Sequence, residues 1–198
     1  MGRRRARTPY VLQPRPRRVP LTADEIDTVL RAADDLIGLG GRNLLTKVLR
    51  GSKDKRLLAH GLDASPCYGI WRGRSSEDVL ATIDRVIVAG FLTVVHSGRL
   101  PVLAYTDEGW DRECSQRIEE FLAEWDRWID AGVVPASMEY LKDRDRPMIL
   151  ELLERVRATH DARYIPLLER WAAIDYKKVR TRIHDVIQDL HQAKTPRI

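Results

Sequence analysis

Basic side chains are concentrated between residues 42 and 74 of this 198-residue chain. The stretch holds eight Lys and Arg residues against two acids, Asp54 and Asp63, so eight minus two gives it a local charge of +6. Such side chains donate charge-assisted hydrogen bonds to phosphate oxygens, and a local excess of this size favours a polyanion. The stretch therefore predicts a phosphate-binding surface, whose basic members are Arg42, Lys47, Arg50, Lys53, Lys55, Arg56, Arg72 and Arg74.

A second basic run lies at the N-terminus. Residues 1–18 contain seven arginines and no acid, and the 27 basic residues left of the total of 34 face 29 acidic ones. A segment rich in Pro and Arg buries too little apolar surface to offset its ordering entropy, so we expect residues 1–20 to be disordered until they meet nucleic acid. A solubilising tail or a misassigned start is the alternative. The arginines are Arg3, Arg4, Arg5, Arg7, Arg15, Arg17 and Arg18.

Catalytic and metal-binding patterns are absent from the sequence. His184 and His191 are separated by seven positions, but no H-E-x-x-H motif or third ligand accompanies them. The two cysteines, Cys67 and Cys114, are too far apart for a zinc ribbon, and there is no G-x-S-x-G elbow. Adjacent carboxylates such as residues 119–120 point apart on a helix. We predict that the protein is not an enzyme and uses no metal or cofactor.

The elements that position the basic residues follow from local signals. Residues 22–25 form a capping box, which predicts a helix start, and a stripe at spacings of three and four continues to residue 37. Helices are then predicted over residues 43–50, ending at Gly51, and over residues 53–60, beginning after Ser52. Ser75 and Ser76 begin another, over residues 76–89.

Two alternating stretches follow, residues 91–95 and 100–105, joined through residues 96–99. Glycine in a short connection between such stretches predicts a β-hairpin. Three helices, a capped helix and a hairpin form the order of a winged helix. We therefore predict a mainly α protein whose winged helix carries a short β-hairpin wing over residues 22–110.

Residues 111–198 are predicted to form a C-terminal helical domain. Apolar stripes recur in four helices, and Trp125, Trp128 and Trp171 are expected to lie in its core because of their helical spacing. Residues 164–190 weakly resemble one helix pair of the HEAT type. Basic residues in this part either extend a DNA-binding surface or cover a solvated face, and they are Lys177, Lys178, Arg180 and Arg182.

The hydropathy pattern argues against a membrane-spanning segment. The longest apolar run, residues 86–95, is far shorter than the roughly 18 residues needed to cross a bilayer. No apolar segment follows the charged N-terminus as a secretory signal would require. We expect a soluble cytoplasmic protein, associated with the nucleoid.

Four stretches carry a resemblance to a known family. "NLLTKVLRGSKDKRLLAHGLD", "YGI", "VIVAGFLTVV" and "LPVLAYTDEG" resemble the RecQ C-terminal (RQC) domain of RecQ helicases, in order and spacing. There is no G-x-x-x-x-G-K-[ST] phosphate loop, no room for a helicase core, and no set of four zinc-binding cysteines. The chain is therefore identified as a member of the helicase-free "minor" RQC proteins of bacteria.

The resemblance implies that the domain grips duplex DNA near a junction. Helix starts would contact phosphates, and the tip of the hairpin would meet the terminal base pair, with His96 stacking on it and Arg99 contacting phosphate or a base. The tip lacks Phe or Tyr, so whether the hairpin separates DNA strands is left open. The alternative role for Ser52 and Ser75 is that they cap helices and do not contact DNA. The DNA-binding residues expected from the cluster and the resemblance together are Arg42, Lys47, Arg50, Ser52, Lys53, Lys55, Arg72, Arg74, Ser75, Ser76, His96 and Arg99.

The leading hypothesis is a non-enzymatic protein that binds duplex DNA, at an end or junction. The C-terminal helices would recruit a protein partner or dimerise. A sequence-specific transcription regulator is the first alternative, but the helix over residues 76–89 is expected to expose Glu77, Asp78 and Asp84 against Arg85 alone, a poor set for base edges. A protein-interaction adaptor is the second, and it leaves the basic cluster unexplained.

Overall fold

The computed structural model describes residues 8–12 and 20–193, and the chain divides into two compact units, Met1–Glu113 and Cys114–Ile198. Within the described residues no helix is both long and apolar enough to cross a membrane. The helices and strands are α1 (Ala23–Asp34), α2 (Arg42–Arg50), α3 (Lys55–Ala59), α4 (Ser76–Val88), β1 (Leu92–Ser97), β2 (Leu100–Tyr105), α5 (Asp107–Asp130), α6 (Arg146–Ala158), α7 (Ile165–Ala172) and α8 (Lys177–Ala193).

The predicted winged helix is confirmed in the first unit. α1 begins at the expected capping box, in which the Thr22 hydroxyl accepts from the Glu25 amide at 3.1 Å and the Glu25 carboxylate accepts from the Thr22 amide at 3.4 Å. α2 ends at Gly51, whose left-handed backbone, with φ of 69°, suits glycine. α1, α2 and α4 close a core with one face of the hairpin, and the mainly α fold class is confirmed.

α3 begins two residues later than predicted, and Ser52 does not cap it. The Asp54 carboxylate caps α3 by accepting from the amides of Arg56 and Leu57 at 3.0 and 3.4 Å. The Ser52 amide instead donates to the Lys47 carbonyl at 2.9 Å, a hydrogen bond that completes the end of α2. Ser52 therefore belongs to the end of α2, because the left-handed turn at Gly51 uses its backbone.

The wing is a two-stranded antiparallel hairpin with a two-residue loop, Gly98 and Arg99. His96, expected in the loop, pairs with Pro101 within the strands, because alternation continues through Ser97. β2 also bonds on its other side, where the Leu103 amide donates to the Gly40 carbonyl at 2.9 Å. The tip that can meet a ligand is therefore shorter than predicted.

The second unit is built around two tryptophans. Trp125 and Trp171 are fully buried, with ring centroids 5.9 Å apart in an edge-to-face arrangement, and Trp128 packs against the same core. The Trp125 indole donates to the Tyr140 hydroxyl at 2.7 Å, which satisfies its buried N–H. The expected role of these tryptophans as core residues is confirmed, whereas the HEAT-type likeness stays a prediction.

Candidate nucleic-acid interface

The predicted basic residues divide into cations that are held by the protein and cations that are not. Lys53, Lys55, Arg72 and Arg99 are exposed, and their side chains form no hydrogen bond or ion pair with any residue that the structure describes. These four are called the free cations below. Because no carboxylate among the described residues pairs with them, their N–H donors are available to a ligand.

Three of the free cations lie around a contact between two glycines. The Gly69 amide donates to the Val48 carbonyl at 2.9 Å, and the Tyr68 hydroxyl donates to the Ser52 carbonyl at 3.1 Å. A Cβ on Gly51 would lie 3.0 Å from both the Gly69 Cα and the Arg72 guanidinium, so the two chain segments touch only as glycines. The "RGS" and "YG" stretches thus meet in space. The contact brings Arg72 beside the segment that carries Lys53 and Lys55.

Arg50 and Arg74 are used inside the unit. The Arg50 guanidinium donates to the Arg74 carbonyl at 3.0 Å and to the Ser76 hydroxyl at 2.5 Å. Arg74 pairs with Glu25 at 2.8 Å, and its guanidinium stacks 4.3 Å from the Trp71 ring centroid. These contacts fix the start of α4 against α1 and α2. Both arginines are therefore engaged within the unit, and their predicted contact with DNA stays a prediction.

Ser75 and Ser76 occupy the start of α4, as expected. The Ser75 hydroxyl accepts from the Asp78 amide at 3.1 Å and donates to the Asp78 carboxylate at 2.9 Å, so it caps the helix. Ser76 accepts from Arg50, as described above. The capping role of Ser75 is confirmed, and any contact of either serine with DNA stays a prediction.

Arg42 forms a partly buried ion pair across the unit. Its guanidinium lies 2.5 Å from Asp84, whose side chain is fully buried, and it also donates to the Val11 carbonyl at 3.0 Å. The expectation that Asp84 is exposed on α4 is wrong, because this face of α4 packs on α2. Arg42 stabilises the fold, and its side chain is only 15% exposed.

Lys47 is engaged as well, although its side chain is exposed. It lies 2.8 Å from the Asp54 carboxylate. The hydrogen bond from Lys47 lowers the pKa of Asp54 below its ordinary value, which keeps the cap of α3 ionised. Lys47 thus supports the turn that carries the free cations on either side of Asp54.

Residues 8–12 lie beside the wing, which their composition did not predict. The Thr8 amide donates to the Arg99 carbonyl at 3.0 Å, and the Thr8 carbonyl lies 3.0 Å from His96 Nε2. The Tyr10 ring centroid lies 6.0 Å from that of His96. His96 is therefore half-buried under this segment, which opposes its expected stacking at the tip. The tail arginines fall in residues 1–7 and 13–19, outside the described residues.

The signal for this contact was present in the sequence. Tyr10, Val11 and Leu12 are consecutive apolar residues within an otherwise Arg- and Pro-rich tail. Such a short run has no period that would indicate an element or a partner. Among the described residues, no group of three or more His, Cys, Asp or Glu side chains could hold a metal ion, and neither cysteine forms a disulfide bond.

Comparison with known proteins finds one family match, which covers most of the first unit and ends in the second. The family model of the RQC domain matches residues 23–119, just under half of the chain. RQC domains are DNA-binding winged helices of RecQ helicases, so the match supports a DNA-binding role for this chain. No curated protein and no solved structure matches the chain.

Proposed function

We propose, since residues 23–119 of this chain are an RQC domain, that the protein binds duplex DNA at ends and junctions without catalysing a reaction. The observation that carries the proposal is the set of free cations. Lys53, Lys55 and Arg72 would contact backbone phosphates beside the glycine contact, and Arg99 would contact the DNA from the wing. The arginines of residues 1–18 would add affinity that falls steeply with salt.

The division between held and free cations supports phosphate binding. Arg42, Arg50 and Arg74 already donate to oxygens within the unit, so they fix geometry before a ligand arrives. Cations without protein partners release condensed counterions when they neutralise phosphates, which favours association. A preformed fold with unpaired surface cations suits a sequence-independent grip on the duplex backbone.

The shape of the wing and the charge of α4 favour DNA structure over sequence. The wing has a two-residue tip, Gly98 and Arg99, from which Arg99 would reach the last base pair of a DNA end or fork. The first turn of α4 carries Glu77 and Asp78, and these carboxylates oppose close approach to phosphates in the major groove. The regulator hypothesis is therefore weaker, and the adaptor hypothesis leaves the free cations without a ligand.

Replacing Arg99 with alanine is expected to weaken binding to a forked DNA about fivefold, by removing one exposed charge-assisted contact. Binding to the internal part of a long closed duplex should change less than twofold. The measurement is fluorescence anisotropy with labelled forked, blunt and circular duplexes. Arg127→Ala, which removes an exposed arginine of α5 in the second unit, is the matched control and should change neither affinity.

Two results would decide against this role. An equal loss on forked and closed DNA would mean that Arg99 contacts the backbone without reading ends. Undetectable binding of the unmodified protein to every DNA, even at low salt, would favour the adaptor.

A further inference from the structure

We propose that the second unit contains a binding site for single-stranded nucleic acid, centred on Tyr176. The inference extends the proposed function, on which it rests, by adding a site for an unpaired strand. A cleft of about 450 Å³ surrounds the ring, a volume in the range of small-ligand sites. Its lining residues include Leu141 and Ile149 from the core, Arg146 of α6, and Lys177 and Lys178 of α8.

Tyr176 is exposed but held in place. The residue is 58% exposed, and among the described Phe, Trp and Tyr residues only Tyr10 is also exposed. The Tyr176 amide donates to Asp175 at 2.6 Å, and its hydroxyl donates to Asp143 at 2.9 Å. The hydrogen bond to Asp143 raises the pKa of the Tyr176 hydroxyl. A ring fixed at both ends loses little conformational freedom when a base stacks on it.

Both carboxylates of the cleft, Asp143 and Asp175, accept hydrogen bonds from Tyr176. The second oxygen of Asp175 accepts from the buried Trp171 indole at 2.7 Å, which ties the Tyr176 backbone to the core. Asp143 adopts a left-handed backbone, with φ of 64°, a conformation that costs free energy for a residue with a side chain. The strained turn places its carboxylate against the Tyr176 hydroxyl. Each acid therefore has a hydrogen-bond donor already.

Three cations of the cleft lack such partners, whereas a fourth, Arg144, donates to the Tyr140 carbonyl at 2.9 Å. Arg146, Lys177 and Lys178 are exposed, and none forms an ion pair or side-chain hydrogen bond with the residues that the structure describes. Lys142 lies with its ammonium 5.4 Å from the centroid of the Tyr176 ring. One large exposed aromatic face beside unpaired cations is the combination by which proteins bind single strands, since bases stack on the ring and phosphates meet the cations.

An unpaired strand fits these features better than duplex DNA or an acidic peptide. Bases within a duplex stack on one another and cannot stack on Tyr176 without being displaced. An acidic peptide would use the three cations but would have no need of a flat, rigid aromatic face. The ring therefore distinguishes the ligands, and its substitution is the decisive test.

The experiment measures binding of the full-length protein to a labelled single-stranded oligo-dT and to a blunt duplex. Tyr176→Ala should weaken oligo-dT binding about tenfold, because stacking on one base is lost. Tyr176→Phe should stay within about twofold, since it keeps the ring and removes only the hydroxyl. Neither substitution should change duplex binding, whereas Lys53→Ala/Lys55→Ala should weaken duplex binding and leave the effect of Tyr176→Ala intact. Circular dichroism of each variant checks that the fold is kept.

The outcomes separate this inference from the proposed function. Loss of oligo-dT binding in Tyr176→Ala supports the site even if duplex binding proves insensitive to Lys53 and Lys55. Unchanged oligo-dT binding in Tyr176→Ala overturns it, as does an equal loss in Tyr176→Phe. If Lys177→Ala/Lys178→Ala weakens binding of a labelled peptide of Glu and Leu while Tyr176→Ala leaves oligo-dT binding unchanged, the cleft takes an acidic protein segment and the inference is wrong.

Discussion

Replacing Gly109 with alanine should destabilise the first unit by about 3 kcal/mol or more. A Cβ at this position of α5 would lie 1.8 Å from the Phe91 carbonyl oxygen, a backbone atom that no rotamer change can move. The same oxygen accepts from the Thr106 hydroxyl at 3.1 Å, and that hydroxyl accepts from the Gly109 amide at 3.0 Å. The added methyl group would therefore force the start of α5 away from the base of the wing.

Hydrogen exchange followed by mass spectrometry during urea unfolding measures this effect for each unit separately. Gly73→Ala is the matched control, because a Cβ there meets no atom within 4 Å, and it should change the free energy of unfolding by less than about 0.5 kcal/mol. Equal stability of the two variants would show that α5 does not approach Phe91 as closely as described.

Replacing Arg42 with alanine should cost about 3 kcal/mol of stability, as is usual when one partner of a buried ion pair is removed. Asp84 is fully buried, and the Arg42 guanidinium is 2.5 Å from its carboxylate. The double variant Arg42→Ala/Asp84→Ala should be less destabilised than the sum of the two single variants, because the charge left behind is removed as well.

Urea unfolding measured by circular dichroism tests this expectation, and Lys53→Ala serves as the control for loss of an exposed cation. That control should lie within about 0.5 kcal/mol of the unmodified protein. A stable Arg42→Ala protein with weakened DNA binding would contradict the structural role, and would return Arg42 to the phosphate contacts predicted from its charge.

Sequence signals succeeded where the chemistry is local. The capping box at Thr22, the left-handed cap at Gly51 and the cap at Ser75 each involve residues within four positions of one another, so their geometry follows from residue types. The tryptophans of the second unit were predictable for a similar reason, since helical spacing alone places them on one face.

The predictions that failed depend on contacts distant in sequence or on competition between caps. Arg42 and Asp84 each resemble surface charges of an amphipathic helix, and only the packing of α2 on α4 turns them towards each other. Ser52 and Asp54 are both of residue types that cap helices well. The Ser52 amide completes the turn after Gly51 at the end of α2, and Asp54 caps α3. The charge of a cluster likewise cannot show which of its members are already paired.

The salt dependence of duplex binding tests the central claim, that the free cations contact phosphate. Lys53→Ala/Lys55→Ala should reduce the slope of log affinity against log salt by about 2, since each lost phosphate contact contributes about 0.9. The control Arg127→Ala/Arg170→Ala removes the same charge from exposed positions of the second unit and should leave the slope unchanged. A slope that falls only in the Lys53 and Lys55 variant supports the account. Equal slopes for the unmodified protein and that variant would contradict it.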